Sequence, residues 1–82
     1  MNELERTLYD LVVPIVEHPD AVSVKTMPSL NNNEIVLYVV ANNEDVARLI
    51  GRQGSMASAL RQMMLVASRI QDKRITIKFE AY

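Results

Sequence analysis

Apolar residues recur along this chain at helical spacing in some stretches and at strand spacing in others. Leu4, Leu8, Leu11, Val12, Ile15 and Val16 stand at offsets 0, 4, 7, 8, 11 and 12, one face of an amphipathic helix. Glu3 and Glu5 suit its positive N-terminal end. The pattern predicts a helix over about residues 2 to 17, bent near its end because Pro14 removes a backbone donor and crowds the preceding turn. His18-Pro19-Asp20 then stops it. From Ala21 to Met27 the spacing changes to alternation, with Val22, Val24 and Thr26 on one side and Ser23 and Lys25 on the other, which predicts a strand. Pro28-Ser29-Leu30-Asn31-Asn32-Asn33 reads as a loop. Ile35 to Ala41 is continuously apolar and rich in β-branched residues, as a central strand with both faces at least partly covered would be.

Asn42 or Asn43 then caps a short helix with Val46, Leu49 and Ile50 on its apolar side, interrupted at Gly51. Helical spacing returns from Ser55 to Ile70, where Ala57, Leu60, Met64 and Ala67 form a stripe broadened by Met56, Met63, Leu65 and Val66. Ile75, Ile77 and Phe79 alternate with Arg74, Thr76, Lys78 and Glu80, the clearest strand in the chain. The order is α-β-β-α-α-β. A strand followed by two helices and another strand calls for a right-handed crossover and a parallel pair. The expected architecture is α+β, a three-stranded mixed sheet with helices packed on one face.

At 82 residues the chain has room for one small domain and not for a second domain with a deep cleft between them. The longest unbroken apolar stretch, Ile35 to Ala41, falls far short of the ~20 residues that span a bilayer, so membrane insertion is not expected. The acidic start, Met1-Asn2-Glu3-Leu4-Glu5, lacks the basic-then-apolar pattern of a secretion signal, which points to the cytoplasm. Cysteine is absent and His18 is the single histidine, which excludes disulfides, thiolate zinc sites, a cysteine nucleophile and paired-histidine metal motifs.

A net charge of −1 conceals an asymmetry. Residues 1–41 carry six acids against two bases, whereas residues 42–70 carry Arg48, Arg52, Arg61 and Arg69 against Glu44 and Asp45. Any anion-binding face is therefore expected in the second half. Both glycines fall there, in Ile50-Gly51-Arg52-Gln53-Gly54-Ser55 between two helical segments. Glycine permits a tight turn and close approach of a foreign backbone. The helix opening at about Ser55 points free N–H groups into that turn, and Arg52 adds a positive charge. The spacing suits a phosphodiester site, and equally a plain corner between two helices. It is neither a nucleotide-triphosphate loop, which needs Gly-x-x-x-x-Gly-Lys-Ser/Thr after a strand, nor a dinucleotide fingerprint.

With its flanking elements, the Gly-x-x-Gly turn resembles that of KH RNA-binding domains, in which such a loop clamps about four backbone nucleotides. The element order is similar to the type II form of that fold. The size, the Leu11–Asp20 stretch and the Ile50–Gly54 stretch resemble the KhpA (YlqC) family of small single-domain bacterial KH proteins. The resemblance runs from about Leu4 to Glu80, implying a single KH domain over residues 1–82 with its loop at 51–54.

The resemblance implies non-catalytic binding of single-stranded RNA, with no cofactor or metal. Gly51, Arg52, Gln53 and Gly54 would hold the sugar-phosphate backbone, Arg48 would reach a phosphate, and Ile50 with Leu49 would support the groove floor. Ser55 and Ser58 on the following helix belong to the candidate RNA-binding set. So does Lys78, with Lys78 or Arg74 as the rim contact, on the assumption that the last strand forms the edge of the cleft. Many relatives carry bases directly after the second glycine and a glycine where this chain has Ala47. Here the first base is Arg61, which implies a shallow salt dependence. The family further implies an RNA chaperone or post-transcriptional regulator, linked to cell elongation and division, cell shape and cell wall biogenesis. Its partners would be a second copy or a larger KH protein of the KhpB/Jag type.

Other residues admit two readings. Glu44 and Asp45 form either a carboxylate pair or, as expected, the solvated first turn of a helix. His18 fits a surface turn. Met56, Met63 and Met64 fit the core, or in part a sticky surface. The helix from Ser55 has more apolar positions than one sheet face needs, so part of it is expected to meet another KH subunit. A protein-interaction module with marginal RNA contact is the alternative function.

Overall fold

The computed structural model describes residues 1–69 and 73–82. Asn2 opens the first helix, α1 (Glu3–Val12), through a reciprocal cap: its side chain accepts from the Glu5 N–H at 2.8 Å, and the Glu5 carboxylate accepts from the Asn2 N–H at 3.0 Å. The other Glu5 oxygen accepts from the Thr26 backbone N–H at 2.6 Å. One carboxylate thus caps α1 and occupies a donor on the strand that contains Thr26. Hydrogen bonds from Asn2 and Thr26 hold the Glu5 carboxyl below its ordinary range.

Two expected boundaries move. The helix predicted to about residue 17 ends at Val12, and Val13–Ile15 forms a 3-10 turn before Val16 becomes extended. Pro14 has no N–H, and its ring would strike the carbonyl four residues back, so the chain tightens into a 3-10 turn where Pro fits at the start. The strand predicted from Ala21 begins at Ser23, because Pro19–Ala21 forms a second 3-10 turn closed by the Ala21 N–H on the His18 carbonyl.

Strand β1 (Ser23–Met27) pairs antiparallel with β2 (Glu34–Ala41), and β2 pairs parallel with β3 (Arg74–Ala81). The sheet order is β1-β2-β3, so β2 is central and β3 an edge. The crossover from β2 to β3 carries α2 (Asn43–Ile50), a one-turn 3-10 segment at Arg52–Gly54, and α3 (Ser55–Ser68). Arg69 leaves the helix at φ 55°; Ile70, where the sequence pattern placed the helix end, lies outside the described residues.

Period two decides which strand residues meet the helices. Leu37, Val39 and Ala41 of β2, Val24 of β1 and Ile75 of β3 join Leu8, Val12, Leu49, Leu60 and Met64 in one buried core. Helices α1 to α3 cover that face of the sheet alone. On the opposite face Tyr38 lies between Lys25 and Lys78 in the ladder, and Val36 between Met27 and Thr76. The continuous apolar run of β2 therefore has one face under helices and one open to its cross-strand neighbours. Of the three methionines with two readings, Met64 is in the core, Met56 packs against it, and Met63 stays 39% exposed.

Candidate nucleic-acid interface

The turn between α2 and α3 is built from backbone conformations that ordinary residues resist. Gly51 sits at φ 75°, ψ 177°, a region essentially reserved for glycine. A β-carbon there would lie 2.7 Å from Met56 Cβ and 2.8 Å from Met56 N, so Gly51 also lets the end of α2 press on the start of α3. Gln53 (φ 55°) and Gly54 (φ 77°) adopt left-handed conformations, and a β-carbon at Gly54 would meet nothing within 4 Å. Arg52 and Gln53 are exposed at the apex. No side chain caps α3, whose N-cap is Gly54, so its first-turn N–H groups and positive dipole end face the turn.

Beside the turn, a groove of about 310 Å³ separates α3 from the edge strand. Ala57, Ser58 and Arg61 line one wall, and Ile75, Thr76 and Ile77 of β3 the other. Ala57 and Ser58 keep the helix wall low, and the two isoleucines make the strand wall aliphatic. The Thr76 hydroxyl donates to Glu34 Oε2 at 2.8 Å, which with the Ser29 hydroxyl draws the Glu34 carboxyl below its ordinary range.

The structure brings Gly51, Arg52, Gln53, Gly54 and Ser55 together at the turn and places Ser58 in the groove. Ile50 lies half exposed at the end of α2, while Leu49 goes fully into the core. Arg48 and Lys78 are elsewhere. Lys78 belongs to the sheet face opposite the helices, where it borders a depression with Met27, Leu30, Val36 and Tyr38. Alternation along β3 sends it there, since Ile75 and Ile77 face the helix side. Arg74 borders Asn31, Asn33, Glu34 and Lys73, also outside the groove.

Arg48 is held inside the protein's own framework. Its Nη1 donates to Asp45 Oδ1 at 2.8 Å and its Nη2 to Glu17 Oε1 at 3.1 Å. Asp45 does not belong to a solvated first turn: its side chain is 0% exposed. Its Oδ1 also accepts from the Glu17 N–H and its Oδ2 from the His18 N–H, both at 3.0 Å, pinning the chain segment after the first 3-10 turn onto α2. Burial alone raises the Asp45 carboxyl, but the two backbone donors and Arg48 outweigh it and hold it below its ordinary value. A signal for this was present in the sequence: Asp45 precedes the buried Leu49 by four residues and shares its helix face. Asn42 is the residue that caps α2, accepting from the Glu44 N–H at 3.0 Å.

Sequence reasoning passed over Arg61 as a site residue, and with it Ala57, which the helical stripe assigned to the core. Ala57 and Arg61 stand four apart on one face of α3, at its boundary with the groove. Among the described residues no three His, Cys, Asp or Glu side chains gather as a metal site would require, and no helix is long and apolar enough to cross a membrane.

The helix-strand order, the parallel β2–β3 crossover and the glycine-bracketed turn at the mouth of an edge-strand groove define a KH domain of type II architecture. The family model described as KhpA/KhpB, KH domain, matches residues 5–79, and the chain belongs to that family. It is 39% identical over 74 residues to the RNA-binding protein KhpA of Leifsonia xyli, covering 90% of this chain and 92% of that one. It is 32% identical over 80 residues to the RNA-binding protein KhpA of Lactiplantibacillus plantarum, covering 98% and 92%. The RNA-binding protein KhpA of Bacillus subtilis is 28% identical over 81 residues, covering 99% and 95%.

Proposed function

We propose that this protein binds single-stranded RNA without catalysis. The loop amides and Arg52 grip the sugar-phosphate backbone, and the α3–β3 groove receives bases. The observation that carries the reading is the uncapped N-terminus of α3, opening from a turn with positive φ at Gly51, Gln53 and Gly54 beside an aliphatic groove. Backbone N–H groups at such a terminus suit an anionic oxygen, and a narrow aliphatic wall suits the flat faces of bases. The relatives are named RNA-binding proteins, which supports the same reading. Its biological role would be that of an RNA chaperone or post-transcriptional regulator in the cytoplasm, connected with cell elongation and division.

The test replaces Arg52 and Gln53 together by Asp. Both are exposed, so circular dichroism should be unchanged while binding to fluorescent single-stranded RNA is lost. Unchanged binding, or none by the parent protein, overturns the proposal. Each phosphate neutralised on a single strand contributes about −0.7 to the log–log salt slope. With few bases near the loop, the slope should be no steeper than about −1.5.

A second reading, as a protein-interaction module, has one observation in its favour. Leu11, Met63, Val66 and Ala67 form a continuous apolar patch with Gln62 across α1 and α3, and Val66 is 79% exposed. A second copy or a larger KH protein of the KhpB/Jag type would cover it. Sedimentation of the parent and of Val66→Glu checks this: a dimer reduced to monomer by the charge supports it, and a parent that is monomeric at high micromolar concentration with no KH partner overturns it.

A further inference from the structure

The wall of the groove carries one cation, Arg61, and its placement separates it from the phosphate-gripping turn. At 1.5 Å per residue, Arg61 lies about 9 Å along the helix from Ser55, too far for both ends to hold one phosphate. Ala57, one turn before it, is small enough to leave room above the helix surface, and Ile75, Thr76 and Ile77 form the other side, with the Thr76 hydroxyl already donated to Glu34. Among the described residues Arg61 makes no ion pair, in contrast to Arg48. A guanidinium has five N–H donors in a planar fork and no acceptor. On a groove wall, that fork fits a base edge that offers two acceptors side by side.

We infer that Arg61 is a specificity-determining residue of the groove, selecting a base whose edge offers two adjacent acceptors. This rests on the RNA-binding proposal above. Guanine presents such an edge at O6 and N7, and cytosine at O2 and N3. Adenine sets an amino donor beside N7 and beside N1, opposing the fork. Uracil has an N–H between its two carbonyls. In a single strand both the Watson–Crick and the Hoogsteen edges are free for such contacts.

The experiment uses the full chain and uridine octamers with one internal position changed to guanine, cytosine or adenine, read by fluorescence anisotropy. The parent should bind the guanine or cytosine oligomer about tenfold more tightly than the adenine one. Arg61→Ala, at an exposed position, should keep its circular dichroism spectrum and lose that preference, with less than about a twofold change on the adenine and all-uridine oligomers. Arg61→Lys keeps the charge but not the fork, and should not restore the preference. Substituting 7-deazaguanine distinguishes the two sources: loss of preference assigns guanine N7–O6, whereas a preference carried by cytosine alone assigns N3–O2. Equal weakening of all four oligomers by Arg61→Ala would make it a phosphate contact and overturn the inference, as would a parent with no base preference. A parent that binds no oligomer overturns the RNA-binding proposal itself, and the inference with it.

Discussion

At the first turn of α2, Asp45 closes on two backbone N–H groups and on Arg48, so both of its oxygens are taken up within the protein. At the far end of the same helix, Gly51–Gly54 leaves Arg52, Gln53 and the opening turn of α3 facing outward without a side-chain cap. One eight-residue helix carries an anchor near its start and a grip just past its end. Both regions carry an arginine, and the difference lies in what each arginine has to answer. Arg48 has a buried carboxylate one turn away and a second carboxylate from a distant segment. Arg52 sits at an apex where no acid reaches it among the described residues. Positive charge in the sequence is therefore a poor guide to binding until the internal acids have been assigned.

Changes at the two ends should separate stability from binding. The largest effect is expected from Gly51→Ala. It places a residue with a side chain at φ 75° and a β-carbon 2.7 Å from Met56 Cβ, and should cost about 3 kcal/mol in urea unfolding through strain and overpacking. Next is Asp45→Asn. A carboxamide offers one acceptor oxygen, so its NH₂ would confront the N–H of Glu17 or His18, and Tm should fall on the order of 10 °C.

Acid sensitivity sharpens the same point. The folded Asp45 carboxyl titrates below its unfolded value, so the unfolded chain takes up the proton first. Its stabilisation is therefore fully present at neutral pH and fades as pH falls from about 4 downward. Asp45→Asn should flatten that part of a Tm-against-pH curve. Glu5 and Glu34, shifted the same way, should leave a residual slope. A variant curve parallel to the parent's would remove Asp45 from the acid response.

Arg48→Gln should lower stability by about 1 kcal/mol, as expected for a part-exposed ion pair whose carboxylate retains its backbone donors. It should change RNA affinity by less than twofold in anisotropy titrations, and a large loss would break the division between anchor and grip. The smallest effect is expected from Gly54→Asn. Gly54 has a left-handed conformation that Asn tolerates and open space around it, so unfolding should shift by less than about 1 kcal/mol. The unequal response of the two glycines is itself a check on the turn.

Much of the fold was legible because it depends on neighbours in sequence. The spacing of Leu4, Leu8 and Val12 marked α1, alternation marked β3, and two glycines three apart between helical stripes marked the turn. Pro14 was noticed as a distortion but read as a bend. Whether a proline bends a helix or ends it depends on what the following residues can pack against, and here Val13–Ile15 tightens toward α2. Asp45 was read from its neighbour Glu44 instead of from its face, and so was placed in solvent. Arg61 was read only as the first base after the glycines and was not placed among the site residues, although helix geometry carries it along the groove wall. Lys78 was placed at the rim although alternation with Ile77 turns it to the other side of the sheet.

By itself the sequence determined the kinds of element, their order and the position of the glycine turn. These follow from local sterics, capping and periodicity within a few residues. Tertiary structure alone decided which charges remain available. Asp45 meets partners 28 and 27 residues away, and Arg48 a carboxylate 31 residues away. Pairing over such separations depends on how α2 packs against the segment after α1, and no local pattern encodes that distance. The same packing sets α3 beside the edge of the sheet and so creates the groove, whose two walls come from segments that the sequence keeps apart.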